Sequence, residues 1–565
     1  MEAREQKIGH GAIGIDNLKS RHAITIILCV AFLILLIFSH LLHEHYGGIT
    51  VDERAEWYNV KTQLARGIGY LRGADISEVP ANYYGIANTL LPYVSAYIFN
   101  LPVRDYYHLT HILSVSCAIG TTILLWWASK ICQFSNRWLA PLMLLASPTF
   151  FGYSLINIKD IPIAFLYTLY TCILIWFYKY LRNFTLKRLC FATVITSLLA
   201  GIFVSLRLTL LPVVLATFVL LLYLTIPSDS NRRLSLFPSW QGGLKTLLIC
   251  CSTFTFSLLT FLTATLLLPG SWDSPITFFT NAFNTFRDYA IWDGCTLYMG
   301  ECTSKLHTKG WSTGNYLLQW WFSQPTLLNI FNSLIGIPLG LAALTMALKA
   351  KNATNIRQIG IILFSAQAYL IAILAVATNA TLYNGIRHLL FMLPAVAFLG
   401  STFADIVCSS RLKISLPFGQ ASAALTYSAI LLASIAITLA DTASLAPYQY
   451  SYVNEFRRSA LTAGTTELEV WEMSLGELYD NHKKISNLFP NDLNKSLILT
   501  RESIGITAPD SDNRKKQKLV GTPIGNTVSK SNLLPGCNIV SEVSRNYAST
   551  RHTVVFSAVS ECPKQ

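Results

Sequence analysis

Acidic side chains stand at two places where an apolar segment gives way to a polar one. Asp52-Glu53 follows the first apolar segment, just beyond Gly47-Gly48-Ile49-Thr50-Val51, and Asp160 lies in the short turn Asn157-Ile158-Lys159-Asp160-Ile161-Pro162 between the third and fourth. A carboxylate at the mouth of a helical bundle can serve as a general base toward a cavity inside it. The same residues suit helix starts, where Asp52 or Asp160 can cap free N–H groups, Glu53 and Glu56 meet the positive dipole end, and Pro162 fits the first turn. Capping and chemistry are compatible roles. Cations recur at the same level. Arg207 interrupts the apolar run Val204 to Leu210, and because an arginine facing lipid costs about 2.5 to 3.5 kcal/mol on insertion scales, it needs an anion or a route to water. Arg387-His388 opens the tenth segment. Arginine grips phosphate through paired donors, so several cations at one level point to an anionic headgroup.

The elements that must position these residues are membrane spans. At 565 residues, 52% hydrophobic, 13% charged and with mean hydropathy +0.43, the chain is too apolar for a soluble globular protein. Each span needs roughly 20 mostly apolar residues. Eleven such stretches are read at 23–42, 107–128, 138–156, 161–179, 189–206, 208–226, 246–268, 327–348, 358–378, 388–407 and 419–440. The expected fold is therefore mostly α: a polytopic helical bundle over 23–440, preceded by a basic N-terminus (1–22) and followed by a small α+β domain over 441–565. Lys and Arg in the five later inner loops agree with an N-terminus in the cytoplasm, and eleven crossings then place the tail outside. The first segment lacks a small-residue cleavage site and is read as a retained helix rather than a signal peptide.

The net charge of +13 is accounted for largely by short orienting loops, and no reading motif supports nucleic-acid binding. Of the twelve cysteines, four fall in the outer aqueous regions: Cys295 with Cys302 in one loop, and Cys537 with Cys562 in the tail. An oxidising compartment would permit these as two local disulfides, and a reducing one would leave them as thiols. Two outer loops, 43–106 and 269–326, are long enough to hold function. In the first, Trp57, Val60, Leu64, Ile68 and Leu71 recur at helical spacing and predict an amphipathic helix in the interface, with a second over 90–99. The second is rich in Trp and Tyr, including Trp311 and Tyr316, as expected of an interfacial belt or a sugar-binding wall. Tail segments 496–500, 538–543 and 552–559 are strand-like.

No metal-ligand pattern emerges, since the histidines are scattered and His40, His43 and His45 have no matching carboxylate or Cys spacing. Neither a phosphate-cradling Gly-Lys-Ser/Thr loop nor a nucleophile elbow is present. No cofactor is expected, with a divalent ion left open.

In order along the chain, Asp52-Glu53, Asn157 to Pro162, the Arg207 segment, the Gly300 and Trp311 to Tyr316 loop, Gly385-Ile386-Arg387-His388 and Pro447 to Glu455 resemble the GT-C class of polytopic glycosyltransferases that use polyprenyl-phosphate sugars. The resemblance is to the ArnT-like and protein O-mannosyltransferase-like group (glycosyltransferase family 39-like). Two departures fall on the acceptor side: Glu469-Val470-Trp471-Glu472-Met473-Ser474 replaces an Asp-Tyr-Trp-Gly-x-Ser run, and Gly310-Trp311 replaces Pro-Trp.

The resemblance implies inverting transfer of a sugar to a lipid, glycan or protein hydroxyl on the outer face of a membrane, the bacterial inner membrane being the expected one. Asp52 would be the general base, Glu53 and Asp160 would orient acceptor or sugar, and Arg207, Arg387, His388 and Lys159 would hold the polyprenyl phosphate. Trp311, Tyr316, Asn454 and Glu455 would form a sugar or acceptor wall. The alternatives are a flippase that moves a lipid-linked sugar unbroken, a metal-dependent transferase using a diphosphate-linked glycan, and a partner subunit without activity.

Overall fold

The computed structural model describes residues 13–455, apart from 47–50, 77–78, 80–82, 182–183, 227–240, 289–295, 299–300, 304–311, 350–354, 381, 383–384, 410–412 and 417–418; in the tail it describes 519–523, 538–546, 548–549 and 553–561. The chain is a multi-pass, mostly α membrane protein. Among the described residues, ten helices are long and apolar enough to cross a membrane: α1 (Ile13–Tyr46), α4 (Val103–Ile131), α7 (Asp160–Leu181), α8 (Leu186–Leu206), α9 (Leu211–Thr225, together with the 3₁₀ turn Leu208–Leu210), α10 (Gln241–Leu266), α13 (Leu327–Lys349), α14 (Ile356–Ala377), α15 (Met392–Ser409) and α16 (Ala423–Ser444). Between them lie α2 (Val51–Leu71), α3 (Leu90–Ile98), α5 (Leu139–Leu145), α6 (Pro148–Ile156), α11 (Pro275–Asp288) and α12 (Thr313–Ser323).

The third expected span is broken. α5 and α6 meet at 68° across Ala146-Ser147, where Pro148 begins the second piece and its ring cannot continue the preceding hydrogen-bond ladder. Every residue of both pieces is buried, so the kink's backbone groups lie inside protein rather than in lipid. The lipid-facing surface is the reverse: Ile27, Ile34 and Leu41, two turns apart on α1, are 65%, 62% and 62% exposed, a pattern a soluble protein avoids and a bilayer requires.

Hydrogen bonds fix which helix ends lie together. His22 Nε2 is 2.6 Å from Ser135 O, and Asp405 near the end of α15 accepts from Ser135 N at 2.9 Å and pairs with Arg357 at 2.8 Å. These mark one end of the bundle. At the other end Asn88 Nδ2 donates to Ile158 O at 2.6 Å, and Gln449 Nε2 donates to Ser39 at 2.9 Å. The candidate residues belong to this second end, called here the α2 end.

Of the tail, the described part is a three-stranded antiparallel sheet in the order β5 (Leu519–Pro523), β7 (Thr553–Glu561), β6 (Asn538–Asn546); two short hairpins lie earlier, β1 (Thr296–Tyr298) with β2 (Glu301–Thr303) and β3 (Lys413–Leu416) with β4 (Gly419–Ser422). Strands form where 538–543 and 552–559 predict them, while the expected strand at 496–500 lies outside the described residues, as does most of the anticipated α+β unit. The buried Asp441 at the end of α16 accepts from Ser549 N at 2.9 Å and Ser549 Oγ at 2.8 Å, tying the sheet's turn to the bundle.

Candidate functional site

α2 forms where the apolar spacing predicts a helix, and of that stripe Val60 is buried, Trp57 and Leu64 are half-buried and Ile68 and Leu71 are exposed, while a polar stripe also faces inward. Tyr58, Ile68 and Leu71 are 67%, 45% and 70% exposed, whereas Glu56, Asn59 and Gln63 are buried. With Asp52 these polar residues fall at i, i+4, i+7 and i+11, one stripe of the helix. Its side chains have partners. Asn59 Nδ2 donates to Glu56 at 3.1 Å and to Tyr84 O at 3.3 Å, while Gln63 donates to Tyr84 O at 3.1 Å and accepts from Gly270 N at 2.7 Å. Arg66 pairs with Asp273 at 2.7 Å. The first two long loops are thus locked together above the bundle.

The acidic pair splits, because consecutive residues on a helix point about 100° apart. Asp52 Oδ2 accepts from Arg387 Nη1 at 2.7 Å, and its other oxygen is 3.6 Å from Lys159 Nζ. Glu53, wholly buried, turns instead to His111. Burial alone would push the Asp52 carboxyl up, yet Arg387 and Lys159 together bring it down to about 2. Lys159 is shared: its ammonium is 2.9 Å from Glu56 and lies 4.7 Å from the Tyr84 ring centroid.

Asp160 opens α7 but does not cap it. Asn157 Oδ1 accepts from Lys159 N at 3.1 Å and Asp160 N at 2.8 Å, so the asparagine supplies the side-chain oxygen that such a terminus requires. That leaves the Asp160 carboxylate to accept from Asn157 Nδ2 at 2.9 Å and from Arg207 Nη1 at 3.0 Å. Arg207 sits in the break between α8 and the 3₁₀ turn Leu208–Leu210, and its anion is Asp160 rather than lipid. It also donates to His388 O at 3.4 Å, which draws the 3₁₀ turn Arg387–Leu389 toward α7.

That turn is placed from below. Gly385 has φ +68°, which favours glycine; a Cβ there would come within 2.4 Å of Gln324 Oε1. Gln324 accepts from Ile386 N at 3.0 Å and Tyr316 Oη from Gly385 N at 2.9 Å. Gly85 similarly lets its loop lie on the end of α8, since a Cβ would sit 1.9 Å from Ser205 O. His388 is buried, and burial together with Arg387, Arg207 and Lys159 holds its pKa well below the ordinary value. At neutral pH it is an uncharged imidazole, so the cations at this level are Lys159, Arg207 and Arg387.

These three, with Glu56 and Asp160, line the polar end of a cavity of about 190 Å³. Its remaining wall is apolar, built by Leu206, Leu210, Ile371, Leu374 and Phe391 among others. The arrangement can hold an anionic group against fixed cations while an attached apolar chain lies along the helices.

The residues expected at the site therefore divide. Asp52, Lys159, Asp160, Arg207, Arg387 and His388 converge, and Glu53 faces away toward α4. Tyr316 supports the Gly385 loop. Asn454 is a brace, donating from Nδ2 to Phe322 O at 2.7 Å and Pro325 O at 3.0 Å, and Glu455 accepts from Tyr452 at 3.2 Å. Neither Tyr316, Asn454 nor Glu455 lines the cavity. Trp311, Cys295, Cys537 and Cys562 lie outside the described residues, and Cys302 is described only as strand backbone. Glu56 is the residue whose place in the cavity the sequence reading missed; its position one turn after Asp52 was the available signal. No family model matches this sequence, and no curated protein matches it.

Proposed function

We propose that the chain transfers a sugar from a polyprenyl-phosphate donor to a hydroxyl of a lipid, glycan or protein acceptor, with inversion, at the outer face of a bacterial inner membrane. The observation that carries this reading is the junction of three cations with an apolar-walled cavity beside a carboxylate that two of those cations grip. A lipid-linked phosphate has the complementary form: an anion on an apolar chain. Arg387 and Arg207 offer it guanidinium donors and Lys159 a mobile charge, stabilising the negative charge that grows on the phosphate as the anomeric bond breaks.

Asp52 takes the acceptor's proton while the hydroxyl oxygen forms the new bond to the anomeric carbon and the polyprenyl phosphate leaves with the electrons of the old one. In the resting site Arg387 and Lys159 suppress its basicity. A donor phosphate that draws these cations to itself relieves that suppression, so the base strengthens when the substrate is in place. Glu56, on the cavity side of Lys159, keeps the ammonium in reach. His388 contributes a neutral hydrogen-bonding group.

The test is turnover with a panel of polyprenyl-phosphate sugars and candidate acceptors, following free polyprenyl phosphate and glycosylated product by mass spectrometry for wild type, Asp52→Asn and Glu56→Gln. Product that needs Asp52 supports the reading. A greater dependence on Glu56 than on Asp52 reassigns the base. Donor binding that is equal in all three proteins, with no release of polyprenyl phosphate across the panel, replaces the transferase by a flippase or a partner subunit.

A further inference from the structure

The second half of the acidic pair leads to a cluster separate from the phosphate-facing cations. In the last turns of α1, His40, His43 and Glu44 fall at i, i+3 and i+4 on one face, and His108 and His111 in the first turns of α4 face them. Glu44 contacts His108, lies 2.7 Å from His111 Nδ1 and is 3.7 Å from His40 Nδ1. His111 Nε2 contacts Glu53. The His43 and His111 rings stand edge to face with centroids 4.7 Å apart. His43 is 1% exposed, and neither of its ring nitrogens has a hydrogen-bond partner among the described residues. Two open imidazole nitrogens buried at the end of a membrane span are costly, because each is a polar atom removed from water without compensation.

We propose that His43, Glu44 and His111 bind a divalent transition-metal ion of the zinc class. One ligand atom from each already lies within 4.8 Å of the others, so modest rotamer changes bring them around one ion. Two imidazoles and a carboxylate are a common zinc donor set, with a tetrahedral fourth place for His108, His40 or water. The ion gives the orphaned His43 ring a partner and provides a positive charge between the Glu44 carboxylate and the crowded imidazoles. Glu53 acts behind the ligands. Its carboxylate on the far nitrogen of His111 fixes that ring's tautomer and direction, as outer-shell carboxylates do for metal-bound histidines. The ion therefore braces α1 against α4 and, through Glu53, the start of α2 from which Asp52 projects. Along the sequence this set is invisible as a motif, because Glu44 and His111 stand 67 residues apart.

The experiment uses the full-length chain in detergent, purified with a tag free of histidine. Metal content is measured by inductively coupled plasma mass spectrometry, and the metal-stripped protein is titrated with Co²⁺ while the visible d–d bands are followed. About one zinc retained per chain and a tetrahedral Co²⁺ spectrum are expected. His43→Asn and Glu44→Gln should lose both signals, whereas His22→Asn, at the other end of the bundle, keeps them. Glu53→Gln should weaken Co²⁺ binding by about 10- to 100-fold with the spectrum preserved; it leaves the ligands in place and so tests the site even where a ligand variant fails to fold. Wild type without stoichiometric metal and without d–d bands overturns the proposal. So does binding unchanged in His43→Asn, which marks adventitious metal on other histidines, or thermal stabilisation by Mg²⁺ but not by Zn²⁺. All readouts are independent of sugar transfer, so their outcome is separate from that of the proposed activity.

Discussion

A carboxylate held at about 2 is a weak base, and at the residue scale the question is what strengthens it. The sign follows from its neighbours. Burial raises the Asp52 carboxyl, and only Arg387 and Lys159 bring it below the ordinary value, which is about 3.9 for an unperturbed aspartate. The stabilisation that these contacts give the fold is present above the unfolded value and is lost as pH falls toward 2. In wild type, the rate per free enzyme and free donor should accordingly show no acid limb from Asp52 down to about pH 4. Arg387→Gln removes one cation and lets burial weigh more heavily, so an acid limb should enter the measured pH profile from below, together with weaker donor binding. A profile unchanged by this substitution would show that Arg387 does not govern the base. For Asp52→Asn, single-turnover rates should fall by about 10² to 10⁴, the usual worth of a placed general base.

At the scale of elements, Asn157 turns a helix start into a binding feature: by taking the N–H groups of Lys159 and Asp160 it leaves the aspartate carboxylate for Arg207. Asn157→Ala should lower stability by about 0.5 to 2 kcal/mol, the range for lost caps, seen as a lower melting temperature in detergent. Asn157→Asp keeps the acceptor oxygen but replaces the amide donor by a second carboxylate facing Asp160. It should recover the cap yet leave donor affinity reduced, which a purely structural asparagine would not do. Much of the architecture was legible in the sequence, because twenty-residue apolar runs have few other fates. The orientation of α2 was not. Apolar periodicity selects Trp57, Val60, Leu64, Ile68 and Leu71, of which Val60 is buried but Ile68 and Leu71 are exposed, and the inward face also carries Glu56, Asn59 and Gln63, which that periodicity does not mark. At a membrane surface the apolar face of a helix can turn to lipid, and the polar stripe is then the one that packs. The common level of Asp52, Lys159, Asp160, Arg207 and Arg387 was legible, but that the turn carrying Lys159 and Asp160 lies beside the first loop depends on how the helices pack. The contacts of Glu53 with His111, and the bracing role of Asn454, depend on packing between segments far apart in the chain, which spacing does not encode.

The whole molecule turns on whether the broken pair α5–α6 crosses the bundle or returns to the side it left. Ser135, just before α5, lies with His22 and Asp405 at one end, whereas Asn157, just after α6, lies with Asp160 and Arg207 at the other. A re-entrant hairpin would bring both its ends to the same side, so the pair makes a full, kinked crossing. Added to the ten continuous spans found among the described residues it gives an odd number, which predicts that the start of α1 and the end of α16 face opposite aqueous compartments. The measurement is accessibility of single cysteines in intact cells to a membrane-impermeant thiol reagent, on a background freed of the other cysteines. A cysteine at Ser549, beside Asp441 at the end of α16, should be labelled from outside, and one at Ser135 only after the membrane is opened. Labelling of both from the same side would reduce the pair to a re-entrant loop. It would also separate Asp160 from Asp52 across the membrane, against the contact of Asp52 with Lys159, the residue next to Asp160. Topology and site are therefore one claim: Lys159 just before α7, Arg207 in the α8–α9 break and Arg387 in the turn before α15 can lie at the level of Asp52 only if every intervening span alternates, and the kinked third crossing is the step on which that alternation depends.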